Sequence, residues 1–72
     1  MQREQLLKKL GNRIRKIRLE KELTQVELAN NIGKDQQSVQ RLESGKVNPS
    51  LFFLHEVCEG LDIDFEILFK KL

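Results

Sequence analysis

The stretch Gln36-Gln37-Ser38-Val39-Gln40-Arg41-Leu42-Glu43-Ser44 holds the side chains with the most informative chemistry. If a helix buries Val39 and Leu42, then Gln36, Gln37, Gln40, Arg41 and Ser44 point outward. Such a face can read the edges of base pairs. A glutamine amide bonds adenine N6 and N7 together, and an arginine guanidinium bonds guanine O6 and N7 together. Each good pair is worth about 1–3 kcal/mol of discrimination, and a helix fits the major groove. The same face is also an ordinary polar surface, and composition alone does not separate the two readings.

Other chemistry is thin. His55 is the one histidine and lies three residues before the one cysteine, Cys58, so a helix makes them neighbours. They could form a Cys-His dyad or half of a metal site, but a closed zinc site needs four ligands and no further Cys or His exists. Cys58 reads instead as a small core residue and His55 as partly exposed. There is no glycine-rich phosphate loop and no Gly-x-Ser-x-Gly turn. The expectation is a non-enzyme with no cofactor, no metal and no small-molecule ligand.

The outward face needs elements to hold it. Residues Leu23 to Lys46 contain two short amphipathic patterns joined by Gly33, the first placing Val26, Leu28, Ala29 and Ile32 near one face. A glycine there supplies the left-handed conformation that ends a helix and turns the chain sharply. Two helices so joined have the form of a helix-turn-helix. Thr24 caps the first of them and Glu27 completes a capping box; Asp35 caps the second; Gly45 ends it.

Around this unit, residues Gln2 to Glu22 read as one helix with Leu7, Leu10, Ile14 and Ile17 on its inner face. Gly11 costs about 1 kcal/mol relative to alanine, so the helix is expected to be firm only from about Leu10, with residues 2–10 a fraying extension. Its basic residues Arg3, Lys8, Lys9, Arg13, Arg15 and Lys16 read mostly as a solvated face, with phosphate contact as the other reading. After Pro49, Ser50 caps a fourth helix from Leu51 to about Leu61, with Leu51, Leu54, Val57 or Cys58, and Leu61 inward and Gly60 a point of early termination. Asp64 caps a short fifth helix.

A chain of 72 residues is one domain, residues 1–72, that buries only about 60% of its unfolded surface. With 39% apolar and 33% charged residues and one proline, it fits a compact helical class. No run approaches the roughly 18 apolar residues of a membrane span, and the N-terminus is too polar for a secretory signal, so the cytoplasm is expected and no membrane partner. The net charge of +2 conceals a gradient. Residues 1–22 carry eight Lys/Arg against three Glu, residues 23–46 three of each sign, and residues 47–72 two Lys against five Asp/Glu. The first half can face a polyanion while the tail faces elsewhere.

From about Leu10 to Leu68 the chain resembles the Cro/CI-type (XRE-like) helix-turn-helix family, as found in lambdoid phage repressors. The resemblance rests on Ile14-Arg15-Lys16-Ile17-Arg18, Leu23-Thr24-Gln25-Val26-Glu27-Leu28-Ala29, Ile32-Gly33, Val39 to Lys46 and Asn48-Pro49-Ser50-Leu51. It implies an all-α, five-helix lambda-repressor-like domain with the helix-turn-helix at about residues 24–44. It also implies a homodimer that places its third helix in the major groove of double-stranded DNA, over half-sites roughly 34–36 Å apart. Gln36, Gln37 and Arg41 then match base-reading positions, with Gln40 beside them. Gln25 matches a phosphate contact that braces the first recognition glutamine, and Ser38, Ser44, Lys46 and Asn48 join it on the DNA backbone. Arg18 and Glu43 match a partly buried ion pair.

Three positions depart from the family pattern. Lys34 stands where an apolar residue is usual, losing a core contact or gaining a phosphate one. Asp62 replaces the glycine that ends the fourth helix. Phe52 stands where a charged residue is usual, and with Phe53 it forms either a partner surface or part of the core. Because the chain ends soon after the fifth helix, dimerisation is expected on the folded surface itself, with Phe52, Phe69 and Leu72 as candidates. The function implied is a sequence-specific transcriptional regulator, a repressor or autoregulator. The alternative keeps the fold as an antitoxin or adaptor that binds protein, for which loss of the amide-bearing outer face would be the sign.

Overall fold

The computed structural model describes residues 1–70 and 72, and they form five helices: α1 (Arg3–Glu20), α2 (Gln25–Asn31), α3 (Gln36–Glu43), α4 (Leu51–Leu61) and α5 (Phe65–Phe69). One apolar cluster joins all five: Leu10, Ile14 and Ile17 of α1, Leu28 and Ala29 of α2, Val39 and Leu42 of α3, Leu54, Val57, Cys58 and Leu61 of α4, and Leu68 of α5. Fully burying an aliphatic side chain of this size is worth about 1.5–3 kcal/mol, so helices too short to stand alone are held by their shared face.

α1 differs from its expected form. It is helical without a break at Gly11, running from Arg3 to Glu20, then turns at Lys21 and Glu22, the latter in the left-handed region at φ 59°. Gly11 is buried where α1 crosses the end of α3. A methyl group there would run into the Glu43 carbonyl oxygen and come within 2.6 Å of that of Leu42. The glycine is a site of close backbone approach, and its helix penalty is the cost of that contact.

Four further expectations are corrected. Val26 is 47% exposed, because about 100° of rotation per residue carries it off the face shared by Leu28, Ala29 and Ile32. Leu51 is 72% exposed, since the packed face of α4 begins one turn later at Leu54. Gly60 does not end α4 early; it lies inside the helix, where Leu28 of α2 and Ile32 just after it press against it. Asp64 stands at the N-cap of α5, but its side chain makes no capping hydrogen bond.

The turns follow their residues. Gly33 takes φ 66° and leads to the Lys34 amide donating to the Ala29 carbonyl at 2.9 Å. Asp62, in place of the expected glycine, adopts φ 57°, a conformation aspartate tolerates better than most side chains. Lys34 is exposed, so the core contact usual at this position is missing. Its ammonium lies 3.8 Å from the Glu56 carboxylate and 6.0 Å from the centre of the Phe53 ring, linking the turn to α4. Arg13 is half-buried and engaged: its guanidinium donates to the Ile67 carbonyl at 2.8 and 3.2 Å, tying α1 to α5. No helix among the described residues is long and apolar enough to cross a membrane.

The close crossing at Gly11 sets the sign of a substitution. Helix propensity alone makes Gly11→Ala stabilising by about 1 kcal/mol. The clash makes it destabilising by about 1–3 kcal/mol, read as a lower midpoint in urea unfolding. A midpoint equal to or above that of the wild type contradicts the crossing.

Candidate nucleic-acid interface

α3 is pinned at both ends. At its start the Asp35 carboxylate accepts from the Ser38 amide at 2.9 Å and from the Ser38 hydroxyl at 2.8 Å. The hydroxyl first, and the amide second, hold the Asp35 carboxyl below the usual carboxylate range. Ser38, half-buried, therefore spends its hydroxyl proton on the cap. α2 starts on a closed capping box, in which Thr24 Oγ1 accepts from the Glu27 amide at 3.0 Å and Glu27 Oε1 accepts from the Thr24 amide at 2.9 Å.

At the end of α3 lies a buried ion pair. Arg18 Nε and Nη2 donate to Glu43 Oε2 and Oε1 at 2.6 and 2.9 Å, and only 7% and 3% of the two side chains is exposed. The third arginine nitrogen, Nη1, donates to the Leu23 carbonyl at 2.7 Å. Hydrogen bonding to Glu43 raises the Arg18 pKa above its ordinary value, overcoming the opposing effect of burial. Gln25 Nε2 then donates to Glu43 Oε1 at 3.1 Å, and Gln36 Nε2 donates to Gln25 Oε1 at 3.4 Å. One continuous chain of polar contacts thus joins α1, the end of α3, the start of α2 and the start of α3.

With Val39, Leu42 and Glu43 buried, rotation along the helix sorts the rest. Gln37 and Arg41 stand furthest out and are exposed. Gln36 and Gln40 lean toward α1 and α2, and Ser38 toward α4. Arg41 reaches back over the following loop, its Nη2 3.4 Å from the Lys46 carbonyl. Ser44 turns its hydroxyl onto the Arg41 carbonyl at 3.2 Å. Lys46 and Asn48 are exposed on the same loop. The structure therefore joins Gln25 to Gln36 and Gln40, and Arg41 to Lys46, while Asn48 lies across a shallow cleft from Arg3 and Leu7 at the start of α1. On the α4 flank, a cleft of about 450 Å³ is bordered by Arg41, Lys34, Ser50 and the rings of Phe52 and Phe53.

Elsewhere, Phe53 packs on the core while Phe52 is 69% exposed. Phe52 begins a row of rings through His55, Phe65 and Phe69, with centroids 6.0, 5.9 and 6.0 Å apart. Leu72 is not on that row; it is half-buried beside Lys9, Asn12, Arg13 and Lys16 of α1. His55 and Cys58 point apart. Cys58 is buried, which with the nearby Asp64 raises its thiol pKa, whereas His55 is exposed with Nε2 3.4 Å from Glu59 Oε1. Arg15, one of the basic residues that the sequence alone does not single out from the rest of α1, lies beside Gln25, Gln40 and Ser44. Its three-residue spacing from Arg18 was the available signal.

No curated protein matches the sequence. The family model described as helix-turn-helix matches residues 14–68. Among solved structures, the chain is similar to the restriction-modification controller protein C.AhdI from Aeromonas hydrophila, at 38% identity and TM-score 0.85, over 88% of this chain and 91% of that one. It is similar to the restriction-modification controller protein C.Esp1396I, crystallised as a tetramer with its natural 35-base-pair operator, at 35% identity and TM-score 0.82, over 90% and 91%. The clp gene regulator ClgR from C. glutamicum follows at 30% identity and TM-score 0.83, over 88% and 82%.

Proposed function

The chain belongs to the helix-turn-helix family and is a DNA-binding transcriptional regulator, and from that premise we propose a homodimeric repressor or autoregulator that lays α3 in the major groove of a pseudo-palindromic operator. The observation that carries this reading is the exposed Gln37–Arg41 face, held at a set angle by the buried Arg18–Glu43 pair. Gln37 and Arg41 read base edges, with Gln36 and Gln40 at the margin. Gln25, Lys46 and Asn48 meet the sugar-phosphate backbone, Lys46 by charge and the two amides as neutral donors, and Ser44 joins them where its hydroxyl turns from the Arg41 carbonyl. Ser38, committed to Asp35, contributes through the helix start it stabilises. In this reading residues 1–72 act as one domain in the cytoplasm.

Phe52 and Phe69 form the dimer surface. A ring of aromatic groups left exposed on so small a domain is costly in water unless a second copy covers it. The tail that bears it carries net negative charge, with two Lys against five Asp/Glu over residues 47–72, so beyond the Asn48 loop it is poorly suited to a polyanion. The pairing of two recognition helices is also what a palindromic site requires.

Gln37→Ala or Arg41→Ala is expected to relax preference at one base pair by about 1–3 kcal/mol, measured as a loss of discrimination between the preferred and a singly altered duplex. Lys46→Ala weakens all sequences alike. Unchanged discrimination in Arg41→Ala removes α3 as the reader. For the dimer, Phe52→Glu shifts sedimentation toward the monomer, and a wild-type profile in that variant rejects the aromatic surface.

A further inference from the structure

The basic residues of α1 are divided between two edges, and only one of them borders α3. Lys8, Gly11, Arg15 and Arg18 recur at spacings of three and four and so share an edge. Gly11 on that edge meets the Leu42 and Glu43 carbonyls, Arg18 holds Glu43, and the backbone and Cγ of Lys8 lie close against Gly45, one residue before Lys46. Lys9, Arg13 and Lys16 occupy the opposite edge, toward α5. There Arg13 is bonded to Ile67, and Lys9 and Lys16 flank Leu72.

Arg15 borders a shallow depression of about 170 Å³ with Gln25, Gln40, Glu43 and Ser44. Arg15 is exposed and makes no hydrogen bond or ion pair among the described residues, while Gln25 is already engaged with Glu43, and Glu43 with Arg18. The Glu43 carboxylate beneath the depression is neutralised by Arg18, so the rim presents the uncompensated charge of Arg15 beside the amide of Gln40. A helix in the major groove has a phosphate strand along each flank, and cationic and amide donors on such a flank are the groups that fix register.

We propose that Lys8 and Arg15 form a phosphate-binding edge of the DNA interface, gripping the backbone along the α1 flank of α3. The proposal rests on the reading of α3 as the recognition helix. It gives the positive charge concentrated in residues 1–22 a specific task, shared by two residues two helical turns apart rather than by the whole basic face.

The test is the salt dependence of binding, measured by anisotropy for the full chain with a duplex enriched from a random library and with a scrambled duplex of equal length. Arg15→Ala and Lys8→Ala each reduce the slope of log affinity against log salt by about one unit and weaken both duplexes. Lys16→Ala, which removes the same charge from the α5 edge, keeps the wild-type slope. Arg15→Gln, scored beside Arg15→Ala with a thermal melt of each, separates lost contact from lost fold. Wild-type slopes in both Lys8 and Arg15 variants overturn the proposal, as does an equal fall in Lys16→Ala. Wild-type protein that binds the two duplexes equally defeats the recognition reading itself, a result distinct from specific binding with unchanged slopes.

Discussion

The contact between Arg18 and Glu43 is the constraint on which the geometry of α3 depends. Burying two charges is costly, and attraction compensates only when every hydrogen-bonding position is filled. Here the guanidinium spends two nitrogens on Glu43 and one on Leu23, and the carboxylate takes a further bond from Gln25. Removing one partner would leave a buried charge unpaired, a loss typically of about 3–5 kcal/mol. Alignment is what the pair adds beyond packing. A hydrophobic contact at the same place would tolerate rotation of α3, whereas a two-pronged bond with a third anchor fixes the end of the helix relative to α1 and α2.

The same pair makes the surface electrostatically usable. In the proposed complex Glu43 lies under the flank of α3 turned to DNA, where an uncompensated carboxylate would repel phosphate. Arg18 neutralises it from within. Gly11 permits the arrangement, because the absence of a side chain lets α1 approach the end of α3 closely enough for Arg18 and Glu43 to meet. The helix penalty of that glycine, the buried pair and the orientation of Gln37 and Arg41 are therefore one linked solution. The cost is local, and its return is a rigid outer face.

Much of this was legible in the residues, for stated physical reasons. The capping signals at Thr24, Asp35 and Ser50 are local chemistry, and all three make the expected hydrogen bonds. Periodicity located α1, α3 and α4, whose inner faces recur at three and four residues, while α5 was placed by Asp64 at its start. The failures lie where local rules do not carry the information. Gly11 looked like a weak point because propensity counts only the helix it sits in, while its role comes from a second helix. Val26 and Leu51 were read as buried by hydrophobicity, which does not say where the neighbouring helix ends. Arg13 looked like a solvated or phosphate-seeking cation, whereas it is bonded to Ile67, far along the chain. In the interface, the outward set on α3 followed from the inward one, whereas the engagement of Ser38 with Asp35 and the place of Arg15 beside Gln40 required three dimensions.

The central claim is that a dimer presents two copies of this rigid face to DNA and reads sequence with them. Selecting bound duplexes from a random library tests it most directly. Enrichment of a pseudo-palindrome whose half-site centres lie about one helical turn apart, roughly 34–36 Å, is the predicted result. A flat library, with no sequence enriched over the starting pool, contradicts it and points to the protein-binding use of the same fold.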